Sequence, residues 1–255
     1  MKRIFQWHIL FLLMVTAGLL TPCRVHGGVE TVGGQGDSGS QITLLLGHAA
    51  VIDDYRSTIR VLSGGERVRQ GERIQTANQS RIELTLPDKS YVRFDEHSIF
   101  ELASVEMDRE TSRRHVSIWL VSGRIWAGVS NSGLGKGEFS IVCHSVVTDA
   151  WGATCRVDIH PEGAVIVKVY DQAIKVSSDP ERSTSLVAPL LTGVTPSVAR
   201  GKSVVSEKWS YLVRPMQEMI VSPGGAATRP FRFPAKTDMD DWVLWNQKLD
   251  ASRRK

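Results

Sequence analysis

The sequence predicts an all-β protein: a solenoid-like twisted domain of short strands, with a C-terminal extension ending in an amphipathic helix. Three observations point there. Short segments rich in Val, Ile and aromatic residues recur through residues 41–177. Turns of Gly, Pro and Asp separate them, and no stretch of that region sustains a helical period.

The chain opens with a targeting signal. Lys2 and Arg3 form a positive start, no acidic residue precedes Glu30, and Ile9 to Leu20 is an apolar run of twelve. A membrane span needs roughly 20 such residues, so the run suits a signal peptide better. Val25 and Gly27 then place the cut after Gly27, which makes residues 1–27 a signal peptide. Lipidation at Cys23 is an alternative that Pro22, directly before it, opposes; retention as an uncleaved anchor is another. In each case the bulk of the chain lies outside the cytoplasm, in the periplasm or cell envelope of a bacterium. Membrane contact is expected only through this segment, if it stays uncleaved.

Residues 28–40 (GVETVGGQGDSGS) are composed as a flexible linker. In IELTLPDKSYVRF (82–94), Ile82, Leu84 and Leu86 alternate with polar residues before a turn at Pro87 to Ser90. HVSIWLVSGRIWAGV (115–129) predicts two short strands around Ser122-Gly123. EFSIVCHSVV (138–147), CRVDIH (155–160) and AVIVKVY (164–170) follow as further short strands.

The tail, residues 178–255, changes character. Ser177 to Lys202 predicts an extended crossing segment. Between Glu207 and Ile220, Pro215 limits any helix, leaving one short helix or strands. Residues 238–250 predict a helix with an Asp cap, an acidic first turn and a stripe of Trp242, Trp245 and Leu249. That helix either docks on the β domain as a lid or presents Trp242 and Trp245 to a partner.

Charge excludes little but favours nothing basic. The chain has 31 Lys and Arg against 27 Asp and Glu; loss of Lys2, Arg3 and Arg24 with the signal peptide leaves 28 against 27. Nucleic acid is not expected as a partner, since Arg113-Arg114 and Arg253 to Lys255 are too short to form a basic stripe. No hydrolytic, zinc-protease or phosphate-loop motif occurs, and Asp53-Asp54, Asp95-Glu96 and Asp240-Asp241 fall in turns or at a helix start. Gly133 to Gly137 is a hairpin tip. No enzyme activity, cofactor or metal is expected.

Cys143 and Cys155 share apolar strand faces with Phe139 and Ile141, and with Val157 and Ile159. In an oxidising compartment they are a disulfide candidate, with two buried free thiols as the alternative. His144 and His160 point away from their neighbouring cysteines, which argues against a zinc set.

The region from about Gly64 to Val176 resembles the FecR periplasmic domain. Gly65, Val68, Gly71, Ile74, Thr76, Ser80, Leu84, Leu86, Asp88 and Ser90 follow its first motif, and Ser98 with Leu102 its second. Leu120, Gly123 and Trp126 resemble its L-x-x-G-x-x-W/F signature, while Gly152 and Val157 match its fourth stretch. The sequence departs from the pattern at Lys89, Cys143-His144, Trp151, Ala153, Cys155 and Asp171-Gln172. The resemblance implies an elongated β architecture and a role in signalling or envelope interaction. In the family's iron-uptake regulators a cytoplasmic sigma-factor-binding segment and a membrane helix come first. Here only eight residues precede the apolar run, so that route to a sigma factor is not expected. The expected function is a non-enzymatic module binding an envelope protein or polymer. The alternative is a scaffold subunit of an envelope or export complex, docking through its Trp-rich helix.

Overall fold

The computed structural model describes residues 39–108, 113–131, 137–187 and 208–253. The signal segment, linker residues 28–38 and most of the Gly133–Gly137 tip lie outside them. Strands numbered in chain order build two sheets that share one member. Sheet A runs β4 (Arg67–Val68), β1 (Ser40–Leu46), β6 (Arg81–Thr85), β7 (Tyr91–Phe94), β9 (Arg113–Gly128), β12 (Thr154–Ile159), β13 (Val165–Asp171), β16 (Gln217–Val221) and β17 (Phe231–Arg232). Sheet B runs β3 (Thr58–Val61), β2 (Ala49–Ile52), β5 (Arg73–Thr76), β8 (Ile99–Asp108), β9 again, β10 (Glu138–Cys143), β11 (Val146–Asp149), β14 (Ile174–Ser178) and β15 (Trp209–Val213).

The shared strand explains how one chain makes both layers. The first part of β9 pairs with β8 and, in parallel, with β10; from Gly123 onward it pairs with β7 and β12. Gly123 has φ +93, and a Cβ there would stand 2.5 Å from the Ser98 Cα. Only glycine tolerates both demands. A bulge beside it, where Ile99 pairs with Ser122 but Phe100 with Leu120, shifts the phase of burial. Val116, Ile118 and Leu120 therefore face the core before the bend, and Ile125 and Ala127 after it. The two strands expected over 115–129 are thus one continuous strand, bent where the sequence breaks.

The sheets enclose a core of Ile42, Ile74, Leu84, Phe94, Phe100, Ile118, Ile125, Phe139, Val157 and Val167, among others. Phe94 and Phe100 stack parallel inside it. Among the described residues every strand pair except β9–β10 is antiparallel, and β9 pairs with β7, β8, β10 and β12. The all-β expectation stands, as does the C-terminal helix, and the described strands form two facing sheets.

The tail completes both layers. The strands of 209–221 extend each sheet, because Pro215 falls in the turn between β15 and β16. Among the described residues two α-helices lie outside the sheets. α1 (Pro180–Val187) rests against β8 to β11, and α2 (Asp241–Arg253) covers part of sheet A. The segment expected to be extended thus contains α1. Asp179 caps it, accepting the Arg182 N–H at 3.1 Å, and Pro180 occupies the first turn where its missing N–H costs nothing. Asp240 caps α2 by accepting the Val243 N–H at 2.8 Å, which shifts the helix from the expected 238–250 to 241–253. Among the described residues no helix is long and apolar enough to cross a membrane.

Candidate functional site

Three surface regions carry the residues that could act. At one end of the sandwich, Asp88 ties three strands together. Its carboxylate accepts the Ser90 N–H (2.9 Å), the Ser90 hydroxyl (2.6 Å) and the Arg114 guanidinium, while Ser90 Oγ accepts the Ser130 N–H. Thr76 Oγ1 donates to the Asp95 carbonyl and accepts the Ser98 N–H, and the Gly71 N–H donates to the Leu102 carbonyl. Gly71, Gly123 and Gly152 all have positive φ. These six motif residues build turns and lock strands. Lys89 and Gln172, which stand at or near family glycines, adopt φ +67 and +55, so those departures keep the left-handed backbone that glycine supplies. Trp151 is partly exposed here, with the Arg114 guanidinium over its ring and Asn131 accepting from its indole.

The second region is the outer face of sheet A under α2. Trp242 is 1% exposed and stacks on Trp245; both pack with Trp126, Tyr91 and Tyr170. The two tail tryptophans therefore face the chain's own sheet, as a lid does. Asp250 accepts from Tyr91 Oη (2.6 Å), Arg93 Nη1 (2.6 Å) and Trp126 Nε1 (3.0 Å). Arg253 reaches Glu83, Arg81 pairs with Asp241, and Arg124 pairs with Asp240. Beside the helix start, a cleft of about 570 Å³ is lined by Arg124, Arg156, Asp158, Lys168, Glu218 and Asp238. Its charges pair with one another: Arg156 with Asp158 and Asp238, Lys168 with Glu218 and Asp238.

Burial pushes the carboxylates of this face up, and cations pull most of them back. Glu83 ends below its usual range because Thr43, Arg93 and Arg253 outweigh its burial. Asp240 does so through the Val243 N–H and Arg124, and Asp238 through Lys168, Tyr170 and Arg156. Asp158 stays raised, because burial exceeds the pull of Arg156 and Arg124. A lowered carboxylate stabilises the fold fully above its unfolded pKa of about 4, and that contribution fades as pH falls through its folded value. Asp158 acts in the opposite sense, since protonation relieves its buried charge. Three of the lowered or paired groups hold α2 or its approach, so acidification from pH 7 to pH 3 is expected to free α2 before the sandwich opens. Hydrogen exchange resolved by segment checks this; equal loss of protection in α2 and β9 would contradict it.

The third region is a corner of sheet B. Tyr55, Ile59 and Val61 are 90%, 67% and 64% exposed, on β3 and the turn before it. Next to them a groove of about 330 Å³ is lined by Ala50, Ile52, Thr58, Val61, Gln75 and His48, among others, with no acidic or basic lysine-type charge.

Neither cysteine takes part in such surfaces. Cys143 and Cys155 are unbonded and buried, on β10 of sheet B and β12 of sheet A, and burial pushes both thiols up to about 12. The structure holds the pair as free thiols, the alternative to the expected disulfide. Among the described residues no group of His, Cys, Asp and Glu could hold a metal ion. The adjacent acidic pairs are structurally engaged. Asp53 accepts the Tyr55 and Ser57 N–H groups, Asp54 pairs with Arg73, and Asp95 with Arg81 and Arg124.

Residues 72–175 match the FecR protein family. This segment is a FecR domain. No curated protein matches the chain. Two crystal structures of a candidate anti-sigma factor from Parabacteroides distasonis resemble it at TM-score 0.43, with 15% and 14% identity, over 64% of this chain. The similarity spans 61% of that protein's chain.

The FecR domain accounts for the centre of both sheets, from β5 through β13 and the start of β14. Flanking segments add the outer strands: β1 to β4 on one side and β15 to β17 on the other. The exposed corner at β3 and the lid α2 therefore both lie outside the family segment. Sequence reasoning missed the corner. Its signal was present in Tyr55, Ile59 and Val61, apolar residues around a turn, but nothing in the pattern says that this strand ends a sheet.

Proposed function

We propose that this chain is an exported, non-enzymatic interaction and signalling module of the bacterial cell envelope, holding a protein or envelope polymer at the β3 corner. One observation supports this reading above the others: Tyr55, Ile59 and Val61, three of the most exposed large apolar side chains among the described residues, fall within seven positions of chain on β3 and the turn before it. Clustered exposed apolar side chains commonly mark interaction sites. The tryptophans of α2, by contrast, are taken up by the chain's own sheet, so they offer no docking element while the lid is closed.

The test is a pull-down from envelope fractions with the mature chain, run beside a Tyr55→Ser/Ile59→Ser/Val61→Ser variant. Partners recovered by the parent and lost by the variant support the corner as the site. Identical recovery from both would sink it.

A further inference from the structure

We infer that the β3 corner binds an extended apolar segment of a partner protein, which adds to sheet B as a further strand; this rests on the corner being the interaction site. β3 pairs only with β2, so its other side is an open edge among the described residues. The edges of sheet A are blunted, since β4 and β17 are two residues each. Natural edge strands are commonly protected by shortness, charge or proline. At β3, Arg60 is tied up by Glu66 and Glu72, and the side chains left exposed are Thr58, Ile59 and Val61.

The backbone there is available too. The Leu62 N–H donates to the Ala49 carbonyl at 2.9 Å, which directs Leu62 toward β2. Peptide groups alternate in direction along an antiparallel strand. Val61, opposite Ala50, therefore turns its N–H and C=O to the open side. A sugar or lipid could cover the apolar side chains, but another strand would also satisfy those peptide groups in register.

Size and charge select the occupant. β3 has four residues, which is about 13 Å of strand at roughly 3.3 Å per residue. A bulge between Val51 and Ile52 shortens the regular part further. Stable association of two globular copies generally needs about 1,000 Å² or more of buried surface. A single short strand beside a 330 Å³ groove suits one extended peptide with alternate apolar side chains instead. The groove presents alanines, Ile52, Thr58, Gln75 and His48, and carries no Asp, Glu, Lys or Arg, so it does not select for a charged polymer.

A displayed library of random dodecapeptides, selected on the mature protein, tests the inference. Enriched peptides should alternate apolar residues and bind Val61→Ile as they bind the parent. Val61→Pro keeps an apolar side chain but removes the outward N–H, at an edge position where proline is tolerated. It should weaken those peptides at least tenfold, as should Val61→Glu, with both variants showing the parent's circular dichroism. Peptides that bind Val61→Pro as well as the parent would overturn strand addition, and so would enrichment of charged or helical sequences. Loss of envelope partners by the triple Ser variant, together with full peptide binding by Val61→Pro, would leave the corner as a site and reject only this mode.

Discussion

Gly123→Val is expected to lose about 3–5 kcal/mol of stability, a large share of what a domain of this kind has. Two costs combine. A β-branched residue at φ +93 occupies backbone space that only glycine visits freely, and its Cβ would lie 2.5 Å from the Ser98 Cα and 2.3 Å from Ser98 Oγ. Neither neighbour can yield, because Ser98 is buried and its N–H is held by Thr76. Gly65 is the control. Its φ of +82 is similar, yet nothing lies within 4 Å of a Cβ there, so Gly65→Val should show the backbone cost alone, about 1–2 kcal/mol. Urea midpoints measured on both variants separate the terms. Equal midpoints would mean that the bend of β9 is not sterically fixed.

Asp250→Ala is expected to release α2 while leaving the two sheets folded. The carboxylate joins Tyr91, Arg93 and Trp126 to the helix, and Arg93 is fully buried. Breaking one side of a buried ion pair typically costs about 3–5 kcal/mol, because a charge is left without its partner. Arg93 would retain Glu83, but Glu83 is shared with Arg253, so one cation on this face loses its counter-charge. A terminal helix held by one small apolar cluster opens locally when that happens. Amide exchange in 241–253 should rise by two orders of magnitude or more, with β7, β9 and β12 unchanged. Wild-type protection of α2 in the variant would show that the tryptophans alone hold the lid.

Much of the fold was legible because its signals are local. Alternation in 82–94 and 164–170 gave strands β6, β7 and β13 directly, and the FecR pattern ordered them. The turn residues Gly71, Asp88 and Ser90 were legible for the same reason: their chemistry acts within a few positions. Other features depend on distant partners. That β9 serves both sheets follows from the meeting of Ser98 with Gly123, which no local pattern announces. The helix α1 hid in a segment rich in Ser and Thr, where Asp179, Pro180 and Glu181 were its start signals. Cys143 and Cys155 shared apolar faces as read, but the faces belong to opposite layers. The open edge at β3 is a property of the finished sheet order.

β9 is a member of both layers, so the two sheets are joined by continuous backbone at Gly123. Separating the sheets would have to open β9 at the Gly123 bend, where the part held between β8 and β10 passes into the part held between β7 and β12. A load applied at the β3 edge of one layer therefore reaches the other through a single covalent chain.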